Sequence, residues 1–249
     1  MRRDPGRREL VVALGDGVGA VNALDNGQSI GELLTACVPA DERVALVLGW
    51  SPVAPQGITP DDFTKIIPLM PGWGVRSLLS SPVTSAVPTS LAAIPGLLGE
   101  HLRPDVLVTR MTRRADGLRF CTEVSWQQAL VDLGVPVWAV IDDRAPSAYA
   151  GEPIPADAVT IIGRAGDSPA DVPQRPSESI HDALADRVLE LIPEGARVQY
   201  GPGQLGTALL QRSTKALSID TGLLTDAVMD LERRGLLIGE PSATYLFGS

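Results

Sequence analysis

Four stretches carry residue types whose spacing suits chemistry. Gly15-Asp16-Gly17-Val18-Gly19-Ala20 fits G-x-G-x-x-A, the turn that sets a pyrophosphate against backbone N–H groups. Gly201-Pro202-Gly203 is a second turn where the backbone can approach a ligand closely. The helix expected from Gln204 to Arg212 aims its first N–H groups back at that turn, a natural anion site. Asp220-Thr221-Gly222, followed by Thr225-Asp226, sits at the end of an apolar run. Asp142-Asp143 sets two acids at a strand end, able to bind a metal or to act as acid and base. No further ligand cluster joins them, so no metal site is expected.

These stretches need elements to hold them. Glu9–Leu14, Arg43–Leu48, Ser85–Val87, Asp105–Thr109, Val137–Ile141, Val159–Ile162, Arg197–Tyr200 and Leu217–Asp220 read as strands. Helical spacing appears at Ser29–Val38, stopped by Pro39, at Leu91–Leu98, broken by Pro95-Gly96, and at Ser125–Leu133. Ser179 caps a helix with Ile180, Leu184, Val188 and Leu191 on one face. Thr225 caps another, which Gly235 ends, with Arg233 and Arg234 in its last turn. Strands alternating with helices imply a mostly parallel, doubly wound sheet, in which ligands bind beyond the carboxyl ends of the strands. Gly201–Gly203 and Thr221–Leu224 are expected at two such ends. Arg110–Gly117 reads as a polar turn. Trp73, between Gly72 and Gly74, reads as a plug at a core edge or as the wall of a ligand pocket.

A dinucleotide site at Gly15–Ala20 would make this a nicotinamide-dependent enzyme. It lacks two supports. The second strand ends in Gly49-Trp50-Ser51 with no acid to meet a ribose, and Asp16 repels a pyrophosphate. The other reading is a glycine loop leading into a helix.

The 249 residues suffice for one large or two small domains. The net charge of −9 argues against a general nucleic-acid binder. It leaves room for an anionic ligand held by local arginines and helix N-termini. No apolar run reaches the ~18 residues of a membrane span. Met1–Arg8 is basic, but the apolar run after it stops at Gly15, so it reads as a frayed arm. Cys37 and Cys121 are the only cysteines, too few for a disulfide framework, and a reducing cytoplasm is expected. His101 and His181 lack metal-ligand spacing and read as solvated or capping.

The stretch from Pro193 to Ser249 resembles the acetyl-CoA hydrolase/transferase family, which includes 4-hydroxybutyrate CoA-transferases. The resemblance is carried by Pro193-Glu194-Gly195-Ala196, by Gln199-Tyr200-Gly201-Pro202-Gly203, by Leu217–Leu231 and by the closing Ala243–Ser249. Upstream, Val87–Leu91, Pro104–Val106 and Ala145-Pro146 match more loosely. The resemblance implies a CoA-transferase-like α/β domain over residues 1–171, a linker and connecting helix over 172–189, and the opening of a second α/β domain over 190–249. It implies an acyl-CoA thioester and a small carboxylate as substrates, with no permanently bound cofactor. It also implies that the second domain is incomplete here, its remainder supplied by a second polypeptide or a further copy, or else lost through a broken reading frame or a truncated sequence. The apolar edge at Tyr245–Phe247 is then expected to be exposed.

The family's nucleophile is the glutamate of a His-Thr-Glu triplet, which forms a glutamyl-CoA thioester. Here the triplet falls on Asp220, Thr221 and Gly222, and glycine has no side chain to form it. Gly201, Gly203, Thr221 and Gly222 are the expected substrate-binding positions, with Asp226 matching a family aspartate. Glu123, in Leu118–Trp126, stands where the family keeps a small residue. It is the expected acid/base group, or else a cap or first-turn acid on the helix after Ser125. The alternative for the whole chain is a non-catalytic or partial subunit that binds a partner chain or a CoA thioester.

Overall fold

A computed structural model describes residues 9–38, 42–145, 148, 150–170 and 175–246. The basic arm Met1–Arg8, Pro39, Pro146 and Phe247 lie outside the described residues. The chain divides into two compact units, Met1–Ala170 and Asp171–Ser249.

The first unit is built on a seven-stranded sheet. Its strands are β1 (Glu9–Leu14), β2 (Arg43–Leu48), β3 (Phe63–Pro68), β4 (Val106–Arg114), β5 (Gly117–Phe120), β6 (Val137–Ile141) and β7 (Val159–Arg164). The order is β3-β2-β1-β4-β6-β7, with every neighbour parallel, and β5 folds back antiparallel on the end of β4. Alternate residues face opposite sides, so a strand buried on both faces reads as an unbroken apolar run. Val12, Leu46, Val106 and Val108 pack with Leu33 and Leu34 of α1 (Ile30–Ala36) on one side. Ala13, Val47, Leu107 and Ile141 pack on the other side with Leu98 of α2 (Ile94–Glu100) and Leu130 of α3 (Gln127–Asp132). The winding sense reverses between β1 and β4, so the ligand crevice of such a sheet falls beyond Leu14 and the end of β4.

The second unit opens with α4 (Ser179–Leu191). Then come β8 (Arg197–Val198), α5 (Gln204–Arg212), β9 (Ser218–Leu224), α6 (Asp226–Arg233) and β10 (Ser242–Leu246). Its sheet runs β10-β9-β8, all parallel. Leu210, Leu217, Ile219 and Leu231 centre its core, and Ala185 and Leu189 bring α4 into it.

Several expectations are corrected. β3 is a buried strand that the Lys65 and Pro68 in its run conceal from the sequence pattern. Ser85–Val87 makes no ladder; it runs beside β3 on two bonds, Ser85 N–H to the Ile66 carbonyl (2.9 Å) and Val87 N–H to Pro68 (3.0 Å). Pro95 opens α2 instead of breaking it, because a first-turn N–H has no helical partner to lose. Arg110–Arg114 continues β4, and Arg110 is fully buried. Glu178, not Ser179, caps α4; its N–H donates to His181 Nδ1 at 3.1 Å. The α4 face predicted as core is turned outward, with Ile180, Leu184 and Leu191 exposed. Small Ala185 and Leu189 face in instead, and the Arg212–Asp186 ion pair (2.6 Å) and the Lys215 ammonium on the Leu189 carbonyl (2.6 Å) accompany that orientation. Tyr245 is buried, so the expected apolar edge is not exposed at that residue. No helix among the described residues is long and apolar enough to cross a membrane.

Candidate functional site

The loop after β1 curls back onto β4. Gly15 N–H donates to the Val108 carbonyl (2.7 Å) and Gly17 N–H to the Trp50 carbonyl (2.7 Å). Trp50 N–H returns a bond to Asp16 Oδ1 at 2.5 Å. Gly17 sits at φ +58°, a left-handed position that suits glycine. Gly19 lies so close to Glu123 that a Cβ there would stand 2.1 Å from Glu123 Oε1. The crevice is therefore filled by the chain's own side chains. Asp16, Thr109, Glu123 and Gln127 are all fully buried, and the Thr109 hydroxyl donates to Gln127 Oε1 at 2.7 Å.

This geometry overturns the dinucleotide reading. Gly17–Gly19 is a single 3-10 turn, and α1 begins only at Ile30, so no helix N-terminus faces the loop. Two buried acids occupy the space a pyrophosphate needs.

Glu123 is neither a cap nor a first-turn acid; α3 starts at Gln127, and Ser125, at φ +42°, turns the chain between them. Its Oε2 accepts from the Thr122 N–H (3.1 Å) and hydroxyl (3.2 Å), while Oε1 has no partner among the described residues. Burial, reinforced by Asp16, pushes its pKa up to about 8 against the lowering pull of Thr122 and Arg110. At neutral pH it is a neutral proton donor, not a base. The Cys121 thiol beside it is also pushed up, chiefly by burial, which removes it as a nucleophile.

Asp142 is committed elsewhere. It pairs with buried Arg110, which also reaches Asp167 Oδ2 at 2.9 Å, and Asp142 Oδ1 accepts from Arg144 N–H at 2.9 Å. Asp143 pairs with Arg164 at 2.6 Å. The two acids therefore hold strand ends together, and no metal-ligating group of three or more occurs among the described residues. Sequence reasoning missed Arg110 because a charged residue inside an apolar run signals a turn.

The second unit presents the opposite arrangement. Gly201 and Gly203 are exposed, with nothing within 4 Å of an added Cβ. Gly206 is the glycine that packing requires: its Cβ would stand 2.0 Å from the Gly201 carbonyl oxygen, so the loop lies flat on the first turn of α5. Tyr200 ties the loop to α6; its hydroxyl accepts from Thr225 N–H at 3.0 Å. Asp226 opens α6, half-buried, in the first turn where the helix dipole favours an acid. Thr221 points inward and donates to the Tyr200 carbonyl at 2.9 Å, so its hydroxyl serves the fold and not a ligand. Gly222 does not end its strand: β9 continues to Leu224. It lies on the outward face of β9 with Asp220, in open space.

No family model matches the sequence, and no curated protein matches it. Solved structures do. RipA from Yersinia pestis is 17% identical with a TM-score of 0.77, over 96% of this chain and 60% of that one. A 4-hydroxybutyrate CoA-transferase from Porphyromonas gingivalis is 18% identical with a TM-score of 0.70, over 96% and 59%. The alpha subunit of a malonate decarboxylase from Acinetobacter baumannii is 12% identical with a TM-score of 0.62, over 98% and 52%. The chain thus spans no more than about three fifths of the length of these structures. At these identities the likeness is one of architecture: the chain has the α/β fold of these CoA-transferase-like structures.

Proposed function

We propose that this chain acts on an acyl-CoA thioester, as part of a CoA-transferase-like or acyl-CoA hydrolase-like protein, without forming a glutamyl thioester at position 222. The observation that carries the reading is the open outward face of β9 at Gly222, beside the loop of Gly201 and Gly203, in a fold shared with a 4-hydroxybutyrate CoA-transferase. A thioester there meets backbone groups of Gly201, Gly203 and Gly222 and the N-terminus of α5. Asp226 is the nearest acid of the helix that follows, and a small carboxylate or water is the acceptor. In hydrolysis the C–S bond breaks, the water oxygen bonds to the acyl carbon, and CoA leaves as a thiol carrying the water's second proton. CoA is substrate and not a resident cofactor. A partner polypeptide or a further copy belongs to this reading, because a parallel sheet is ordinarily covered on both faces and the outer face of β9 is bare.

Glu123, enclosed beneath the Gly17–Gly19 turn, takes no step in this reading. Its complete burial favours a second reading, a subunit that binds the thioester and leaves catalysis to a partner. Calorimetry with acetyl-CoA, followed by turnover and borohydride reduction, separates the two. Binding with turnover and no reducible adduct is expected from the first reading. Binding without turnover supports the second. A trapped thioester on Asp220 or Asp226 overturns the non-covalent chemistry, and absence of binding overturns both.

A further inference from the structure

Beyond β3 the chain makes a 3-10 run, Trp73–Ser80. Such a helix has three residues per turn, so side chains three apart eclipse. The burial follows that period. Val75 and Leu78 face the core, while Trp73, Arg76 and Leu79 form one outward row. Trp73 is 66% exposed, which overturns its reading as a plug at a core edge. The loop that carries it is pinned. Gly74 N–H donates to the Ser51 carbonyl (3.1 Å), and a Cβ on Gly74 would stand 2.2 Å from the Val53 carbonyl oxygen. Gly72 lies against the Trp50 ring, where an added Cβ would be 3.0 Å from the indole. The backbone that carries Trp73 is thus held in place, while the indole itself stays open to water. Arg76 makes no ion pair and no side-chain hydrogen bond among the described residues.

We propose that Trp73 and Arg76 form a site for an adenine nucleotide, the base stacking on the indole and a ribose phosphate meeting the guanidinium. The two groups lie one 3-10 turn apart, about 6 Å of rise, a spacing that a base and its own ribose phosphate can bridge. Tryptophan stacks any base, and arginine takes phosphate in a bidentate fork. The position suits the fold: the row follows β3 and is braced on the loop after β2, at the carboxyl ends of parallel strands. The ligand class rests on the reading above, because CoA carries a phosphorylated adenosine. The stacking platform itself is independent of what happens at Gly222.

The probes are adenosine 3′,5′-bisphosphate, adenosine, pantetheine and acetyl-CoA, titrated against the full chain by calorimetry and tryptophan fluorescence. The bisphosphate should bind and quench the emission. Trp73→Ala should weaken it roughly tenfold, and Trp73→Phe should restore most of the loss. Arg76→Ala should weaken the bisphosphate, flatten its salt dependence and leave adenosine unchanged. Pantetheine should be indifferent to both variants. If the bisphosphate binds parent and Trp73→Ala equally, this inference fails and the acyl-CoA reading is untouched. If the bisphosphate binds and acetyl-CoA does not, the nucleotide site stands and the acyl-CoA reading fails. No binding of either sinks both. A dimer seen by sedimentation that dissolves in Trp73→Ala, with nucleotide affinity unmoved, would make the row a protein-docking ridge and overturn the assignment.

Discussion

The glycine loops of the two units look alike in sequence and are used in opposite ways. Around Gly15–Gly19 the missing side chains are spaces already taken: Thr109, the Gly19 carbonyl and Glu123 stand where Cβ atoms would be. Around Gly201, Gly203 and Gly222 the missing side chains leave open space. The first loop uses its glycines to pack a polar crevice shut, and the second keeps a surface clear. A glycine pattern therefore marks close approach without saying whether the approaching group belongs to the protein or to a ligand.

The largest expected effect comes from the ion-pair network that frames the closed loop. Arg110→Met leaves Asp142 and Asp167 without their buried guanidinium, and losing one partner of a buried pair costs about 3–5 kcal/mol. Denaturant unfolding of the parent and the variant reads this directly. A loss below about 1 kcal/mol would mean that water already reaches the cluster.

Next comes the crowded acid itself. Glu123 has a folded pKa of about 8 against 4.5 in the unfolded chain. Below pH 4.5 both states hold the proton and the group is neutral to stability. As pH rises from 4.5 to 8 only the unfolded chain ionises, so the folded state loses stability; above 8 the penalty is complete. At about 1.36 kcal/mol per unit, this ceiling is on the order of 5 kcal/mol. Glu123→Gln should match the parent near pH 4.5 and exceed it in Tm progressively up to about pH 9. Parallel curves would show that Glu123 is ionised in the fold, and its role as a neutral donor would fall.

Gly19→Ala sharpens the comparison at about 1–3 kcal/mol, the usual cost of forcing volume into a packed site. Its companion Gly203→Ala, on the open loop, should stay within about 0.5 kcal/mol. Combining Gly19→Ala with Glu123→Ala should recover much of the loss, because the new methyl and the carboxyl compete for one place. Equal losses in the two loops would erase the contrast drawn between them.

The parallel sheet was legible because alternating strands and helices allow few alternatives, and runs such as Val44–Leu48 suit a strand buried on both faces. What stayed hidden depended on partners distant in sequence. Arg110 looked like a turn residue until Asp142 and Asp167, 32 and 57 residues away, supplied its counter-charges. The rotation of α4 was hidden because Ile180 and Leu184 are the larger side chains, yet Ala185 faces the core. Thr221 was legible as part of a motif but not as an inward-facing residue, since strand phase was set by where β9 begins. Of the candidate site, the loop of Gly201 and Gly203 between a short strand and a helix could be read from the strand–helix alternation, whereas Gly222, expected at a strand end, lies inside β9. The closure of the other crevice by Glu123 could not, because nothing local tells a carboxylate which way to point.

The smallest stability effect carries the most direct test of the open loop. Gly222→Glu places a carboxylate at an exposed position of β9 where an added Cβ meets nothing within 4 Å. Glycine inside a strand forgoes packing and adds freedom to the unfolded chain, so replacing it should be neutral or stabilising by about 0.5 kcal/mol. Asp220, two residues away on the same face, repels the new charge, but its bond from the Ser242 hydroxyl (2.7 Å) and Arg197 at 3.8 Å offset part of that. An unchanged Tm is therefore expected. If this face receives an acyl-CoA thioester, the new carboxylate stands where an attack on it gives a glutamyl-CoA adduct, which borohydride then traps. A stable variant that binds acetyl-CoA and yields labelled residue 222 would confirm that the surface is a thioester site lacking only its nucleophile. A stable variant that binds acetyl-CoA and traps nothing would place the thioester elsewhere. The open glycines of β9 and of the loop after β8 would then be surface that the fold merely tolerates, and the contrast with the closed loop would hold for packing but not for chemistry.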